Sequence, residues 1–182
     1  EAGHRVLHDV AVDVPDGQRV AVVGPSGAGK STLAKAVAAV HPVPPGSVRV
    51  AGVDVADIAS VGGRQPLALV TQEVHVHSGT LADGLRLFAP DASDDALANS
   101  LDVVGARWVA KLPDGIETVV GAGGHPLTGA QAQQLALAAV VLADPAVVIL
   151  DEATAEGGSA NAAELDAAAA AAIAGRTSIV VA

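Results

Sequence analysis

Apolar residues fall into two kinds of run along this chain. Short continuous runs occur at Arg19-Val20-Ala21-Val22-Val23, Leu67-Ala68-Leu69-Val70-Thr71, Ala146-Val147-Val148-Ile149-Leu150 and residues 177–182. Each reads as a strand buried on both faces, as in a parallel sheet. Longer segments repeat their apolar positions at helical spacing. Residues 31–40 do so through Leu33, Val37 and Val40, and 80–87, 93–104, 106–112, 128–143 and 159–174 also read as helices, with 128–143 the best amphipathic one of the second half. Residues 6–14 alternate apolar and polar positions, the pattern of a strand with one exposed face. Pro15-Asp16-Gly17 is a turn, and residues 47–55 form a strand pair around Gly52. His41-Pro42 and Asp144-Pro145 stop the helices before them. Strands alternating with helices predict an α/β fold with a mainly parallel core sheet, an N-terminal antiparallel β part and a helical subdomain.

Composition narrows the class. The chain has 182 residues, 51% of them hydrophobic, enough for one globular domain with a real core. There is no cysteine, so neither a disulfide framework nor a thiolate zinc site is open to it. The net charge of −10 argues against a nucleic-acid partner and against a basic membrane-binding face. No apolar run reaches the ~18–20 residues of a membrane span. The alanine-rich stretch 167–174, flanked by Asp166 and Arg176, reads as a packing helix. The chain begins at Glu1 and contains no Met, which is expected of a soluble piece of a longer polypeptide.

The strongest chemical signal is Gly24-Pro25-Ser26-Gly27-Ala28-Gly29-Lys30-Ser31. It fits the phosphate-loop pattern G-x-x-x-x-G-K-[ST] at every fixed position. A polyphosphate is wrapped by several backbone N–H groups at once, and Gly24, Gly27 and Gly29 are expected to take φ > 0 and approach its oxygens closely. Lys30 is placed to reach the β/γ-phosphates, and Ser31 offers a hydroxyl to Mg²⁺. Strand 19–23 before the loop and a helix through Thr32 after it are the required setting, with phosphate at the helix N-terminus. The buried run 146–150 ends in Asp151-Glu152. In phosphate-loop enzymes an acid at the end of a neighbouring strand holds Mg²⁺. Asp151 fits that part, and Glu152 that of general base.

Leu127-Thr128-Gly129-Ala130-Gln131 precedes the helix that leads to this acidic strand end. It resembles the L-S-G-G-Q signature of ATP-binding-cassette (ABC) ATPases, and Val70-Thr71-Gln72 resembles their Q-loop. The resemblance covers essentially the whole chain. His77-Ser78-Gly79-Thr80-Leu81, Leu112-Pro113-Asp114-Gly115 and Thr118-Val119-Val120-Gly121 look most like the exporter branch. It implies a single ABC-type ATPase domain over 1–182, with a nucleotide-binding core of 1–72 and 144–182 and a helical subdomain of roughly 73–143. It implies ATP and Mg²⁺ as cofactors, held by residues 24–32, by Thr128, Gly129 and Gln131 of a partner's signature, and by Ser31, Gln72 and Asp151 around the metal. Lys30, Gln72 and Glu152 are the implied catalytic residues. The implied partners are a transmembrane domain, fused upstream, and a second ABC ATPase domain in a head-to-tail homo- or heterodimer, at the cytoplasmic face of a membrane.

The chain departs from the family in places. Ala130 stands for the second signature glycine, Ala132 and Gln134 stand where basic residues are common, Ala122 where exporters often carry Glu, and Ala155-Glu156-Gly157-Gly158 replaces the dimer loop. The family's adenine-stacking aromatic and switch histidine are expected before residue 1 and after residue 182. His75 and His77, two apart, would share one face of a strand; an interface or solvent face is the reading there rather than a metal pair. The departures keep a second function open beside the exporter ATPase, a nucleotide-binding but hydrolytically weak regulatory half of a heterodimer. A soluble ABC ATPase of DNA repair or translation, and a small-molecule kinase, fit less well.

Overall fold

Four of the apolar runs share one sheet. Strands β1 (Arg19–Val22), β4 (Leu67–Val70), β7 (Val147–Asp151) and β8 (Thr177–Val181) lie in the order β1-β8-β7-β4. β8 runs parallel to both neighbours, pairing Val20 with Ile179 on one side and Ile149 with Ile179 on the other. The computed structural model describes residues 6–58, 66–153 and 158–182. The chain divides into two compact units, the first drawn from residues up to 69, 145–152 and 175–182, the second from 70–144 and 153–174.

In the first unit, helix α1 (Lys30–Val37) packs its Ala34 on Ile149 and Val181, with Val22, Val37, Leu69 and Ile179 around them. That apolar contact lays α1 against β7 and β8. A second tie lies at the start of β8: the Thr177 hydroxyl donates to Asp16 (3.0 Å) and accepts from the Gly17 N–H (2.8 Å). The strand pair expected around Gly52 forms as β2 (Arg49–Val50) and β3 (Val53–Asp54), antiparallel, with Ala51 at φ 50° and Gly52 at φ 80° in the turn. A short helix α2 (Val55–Ile58) follows. Its start is organised by the Asp54 carboxylate, which accepts from the N–H groups of Ala56 and Gly46; these two bonds hold the carboxyl below its ordinary pKa.

The strand expected over residues 6–14 does not form. Asp9 takes a left-handed φ of 45°, which interrupts the extended run, and Val6, Val10 and Val12 are 44%, 50% and 68% exposed. Alternation describes a face, but a strand also needs a neighbour's backbone, and no described strand supplies one. Helix α1 stops at Val37 rather than Val40, because Ala39 turns left-handed (φ 56°) and the N–H groups of Val40 and His41 both fold back onto the Lys35 carbonyl.

The second unit is mostly helical. Strands β5 (Gly79–Thr80) and β6 (Val119–Val120) pair antiparallel. Helices α3 (Leu81–Arg86), α4 (Asp94–Val103), α5 (Gly129–Ala143) and α6 (Gly158–Ala172) follow the expected segments. Residues 106–112 form a 3₁₀ turn (Arg107–Lys111) instead of an α-helix. Gly105, at φ 68°, and Pro113 bound this short segment, and its bonds close at i to i+3: the Val109 N–H donates to the Ala106 carbonyl (3.2 Å) and the Leu112 N–H to that of Val109 (3.1 Å). Leu165, Ala168, Ala169 and Ala172 are buried along one stripe of α6, as a packing helix requires. α5 is less amphipathic than its sequence suggests. It packs against α3, α4 and α6, and even Gln133 (1% exposed) and Gln134 (5%) are buried. No helix among the described residues is long and apolar enough to cross a membrane.

Candidate nucleotide-binding site

The phosphate loop joins β1 to α1 in the first unit. Gly27 (φ 80°) and Gly29 (φ 88°) are left-handed, whereas Gly24 is not. The expectation of φ > 0 therefore holds at two of the three glycines. A Cβ at Gly24 would meet only ordinary contacts, Ala28 Cβ at 3.7 Å and Lys30 Cδ at 3.9 Å. Gly29 is constrained twice. A Cβ there would also lie 2.9 Å from Val6 Cγ1, so the segment before the first strand seats on the loop.

Gly29 is the N-cap of α1, and among the described residues no side chain caps that end; its first turn carries no acidic residue. The first N–H groups of a helix have no intrahelical partner, so this end presents donors and a positive dipole end. The Lys30 ammonium donates to the carbonyls of Gly24 (2.8 Å) and Pro25 (3.3 Å), which folds the cation over the exposed loop 24–28. Ser26 and Ala28 complete the loop, the Ala28 N–H donating to the Pro25 carbonyl (3.2 Å), and Thr32 lies half-buried in the first turn of α1. Open donors and one cation around a backbone cradle fit a polyphosphate.

The Ser31 hydroxyl donates to Asp151 Oδ1 at 2.9 Å, across 120 residues of sequence. Asp151 is 6% exposed, at the end of β7. The strand carrying it is not the immediate neighbour of β1, since β8 lies between them. Ser31 reaches it because α1 crosses over β8 onto β7. A hydroxyl and a carboxylate this close form a hard-oxygen pair suited to Mg²⁺, which takes one or two protein oxygens and completes its shell with phosphate and water. Glu152 follows, exposed, with a left-handed φ of 52° and its N–H donating to the Val181 carbonyl (3.2 Å).

The remaining predicted residues belong to the second unit. Thr128 caps α5: its hydroxyl accepts from the Gln131 N–H (3.2 Å), and Gln131 Oε1 accepts from the Thr128 N–H (2.9 Å). This capping box engages the Gln131 amide and leaves the N–H groups of Gly129 and Ala130 at the helix start. Ala130 lies within α5, where its Cβ needs no left-handed backbone. Gln72 is exposed, between a Thr71 carbonyl held by Gln133 Nε2 (3.1 Å) and a Glu73 carbonyl held by the Thr71 hydroxyl (2.9 Å). Gln134 bonds the Trp108 indole. Nothing in the hydrophobic pattern marks Gln133 or Gln134 as buried anchors. His75 and His77 are exposed and lie outside any strand, and among the described residues no cluster of three or more metal-ligating side chains occurs. Of the altered dimer loop Ala155-Glu156-Gly157-Gly158, the first three residues lie outside the described residues, and Gly158 opens α6.

The ABC transporter family model matches residues 7–155. An ATP-dependent lipid A-core flippase of Haemophilus influenzae is 36% identical over 150 residues, 81% of this chain and 26% of its own. ATP-binding cassette sub-family B member 6 of Homo sapiens is 33% identical over 181 residues, 99% of this chain and 22% of its own. The ABC multidrug transporter mdr2 of Aspergillus fumigatus is 34% identical over 149 residues, 82% of this chain and 19% of its own. The chain thus spans between about a fifth and three-tenths of the curated relatives it matches. A phosphate loop on the strand-to-helix turn, a hydroxyl–carboxylate pair beneath it and a family match across most of its length make this chain a member of the ABC transporter family, matching it as an ATP-binding domain.

Proposed function

We propose that this domain binds MgATP at residues 24–32 and hydrolyses it to drive export by a membrane transporter, as half of a head-to-tail pair of such domains. The observation that carries the reading is the Ser31–Asp151 hydrogen bond beside the uncapped start of α1. When bound, MgATP supplies the phosphoanhydride and the cation that screens its charge. The chain's own residues do the rest. Loop and helix N–H groups orient the phosphates, and Lys30 leaves the Gly24 and Pro25 carbonyls for phosphate oxygens. Ser31 and Asp151 turn their shared oxygens to the metal. Glu152 accepts the proton of the attacking water, and Gln72 orders that water or the metal. Thr128, Gly129 and Gln131 serve the partner's nucleotide.

A nucleotide-binding core of 1–72 and 144–182 and a helical part of roughly 73–143 fit this division of labour. An apolar cleft just after Gln72, with exposed Phe88 and half-buried Val74 and Val76 over the buried Leu81 and Leu85, supports docking of a transmembrane partner on the helical part, at the cytoplasmic face of the membrane. The negative charge of the chain supports a role without nucleic acid.

Two variants test the reading. Lys30→Ala should weaken MgATP binding by roughly 10–100-fold, the scale of a charge-assisted hydrogen bond. An unchanged Kd for a labelled analogue rejects the phosphate-loop assignment. In the assembled pair, with the partner's site disabled, Glu152→Gln should keep nucleotide binding and lower turnover ~10²–10⁴-fold. A parental rate rejects Glu152 as the base, and background rates in both proteins favour the hydrolytically weak half.

A further inference from the structure

The amide of Gln133 is an unusual thing to bury. It sits on the fifth residue of α5, 1% exposed, with Nε2 donating to the Thr71 carbonyl at 3.1 Å. Its Oε1 is also buried and has no hydrogen-bond partner among the described residues. The amide cannot flip, because Oε1 against the Thr71 carbonyl would set two acceptors face to face. A half-satisfied buried amide is a poor packing group, and an apolar side chain of the same length fills that space at less cost. What the amide achieves is one directed bond to the backbone immediately before Gln72. The Thr71 hydroxyl holds the Glu73 carbonyl at 2.9 Å, so the backbone is fixed on both sides of Gln72 while its side chain is exposed. The other end of the link is equally firm, since the Thr128–Gln131 capping box fixes the start of α5.

We propose that Gln133 is a positioning residue for ATP hydrolysis, tying the signature helix to the backbone that presents Gln72. The inference rests on Gln72 acting at the nucleotide. In a head-to-tail pair, Gln72 serves the domain's own nucleotide and α5 serves the partner's. A displacement of α5 on engaging the partner's nucleotide is then passed through the Gln133–Thr71 bond to Gln72.

The test is a double-mutant cycle in the assembled transporter, with kcat and KM for ATP measured for Gln133→Met, Gln72→Ala and the double variant. Met keeps the length of Gln, adds no buried charge and removes the donor to Thr71. Gln133→Met should lower kcat about 3–10-fold, the range one ordinary hydrogen bond supports, with KM for ATP within about twofold of the parent. The double variant should be no slower than Gln72→Ala alone, because both changes act through one group. A parental kcat for Gln133→Met, or losses that multiply in the double variant, overturns the inference while leaving the role of Gln72 intact. A parental kcat for Gln72→Ala overturns that role and the inference with it. Should Gln133→Met not fold, Gln133→Asn replaces it, the amide being kept but too short to reach Thr71. Failure of both to fold assigns Gln133 to structure alone and also overturns the proposal.

Discussion

Gln134 is predicted to be a stability hot spot that the only tryptophan of the chain reports directly. Its Oε1 accepts from the Trp108 indole at 2.8 Å, and its Nε2 donates to the carbonyls of Val104 at 3.3 Å and Gly105 at 3.5 Å. The side chain thus pins the turn after α4 and the following 3₁₀ segment onto α5. Gln134→Leu keeps the volume and removes every bond. It strands the indole N–H and the Val104 carbonyl, and Val104 is 2% exposed. A buried group left without its partner costs ~1–3 kcal/mol. The two long bonds to Nε2 contribute little of this, and half-buried Trp108 recovers part of its bond from water. The net loss works out at about 2 kcal/mol, which lowers Tm by about 4–8 °C for a chain of this size. Urea unfolding followed by Trp108 emission reads the change where it happens, and the folded-state emission should shift as the indole N–H loses its acceptor. A cycle with Trp108→Phe, followed by circular dichroism because no tryptophan then remains, should show a coupling of about 1 kcal/mol. Additivity within about 0.3 kcal/mol, with an unshifted emission, would refute the argument.

Gly121 and Gly123 share a φ of 81° but differ in surroundings, since a Cβ at Gly121 would lie 2.8 Å from Ser78 Cα and 2.9 Å from the His77 carbonyl, while Gly123 has open space. Gly123→Ala should cost about 1 kcal/mol for its backbone conformation alone, and Gly121→Ala at least about 1 kcal/mol more as backbone must move; equal losses in urea unfolding would contradict this. Asp83 closes a capping box on α3, where the Thr80 hydroxyl and then the Thr80 N–H hold its carboxyl below the ordinary 3.8. The bond therefore stabilises the fold fully above that value and is lost as pH falls through the lowered one. The Tm gap between the parent and Asp83→Asn should stay constant from pH 7 to pH 5 and close below pH 3.8; a gap that widens on acidification would exclude the carboxylate as its source.

The phosphate loop, the Asp151-Glu152 strand end and the capped signature are legible in sequence because their chemistry is contiguous. Glycines at 27 and 29, a Lys-Ser pair opening a helix and a Thr-x-x-Gln box each specify a local backbone whatever surrounds them. The turn at Ala51-Gly52 and the helix stop at Asp144-Pro145 are local in the same sense. The alternation over residues 6–14, which forms no strand, shows where that logic ends, since it carries no information about a partner edge. Only the tertiary structure put β8 between the phosphate-loop strand and the acidic strand, and only the crossing of α1 over that sheet brought Ser31 to Asp151. It also buried Gln133 and Gln134, whose polarity alone would place them in water. Their partners are carbonyls and an indole 26 to 62 residues away, supplied by packing of α5 on its neighbours. Propensity and capping act within a few residues of the chain, whereas the satisfaction of a buried polar group depends on which distant backbone the packing delivers.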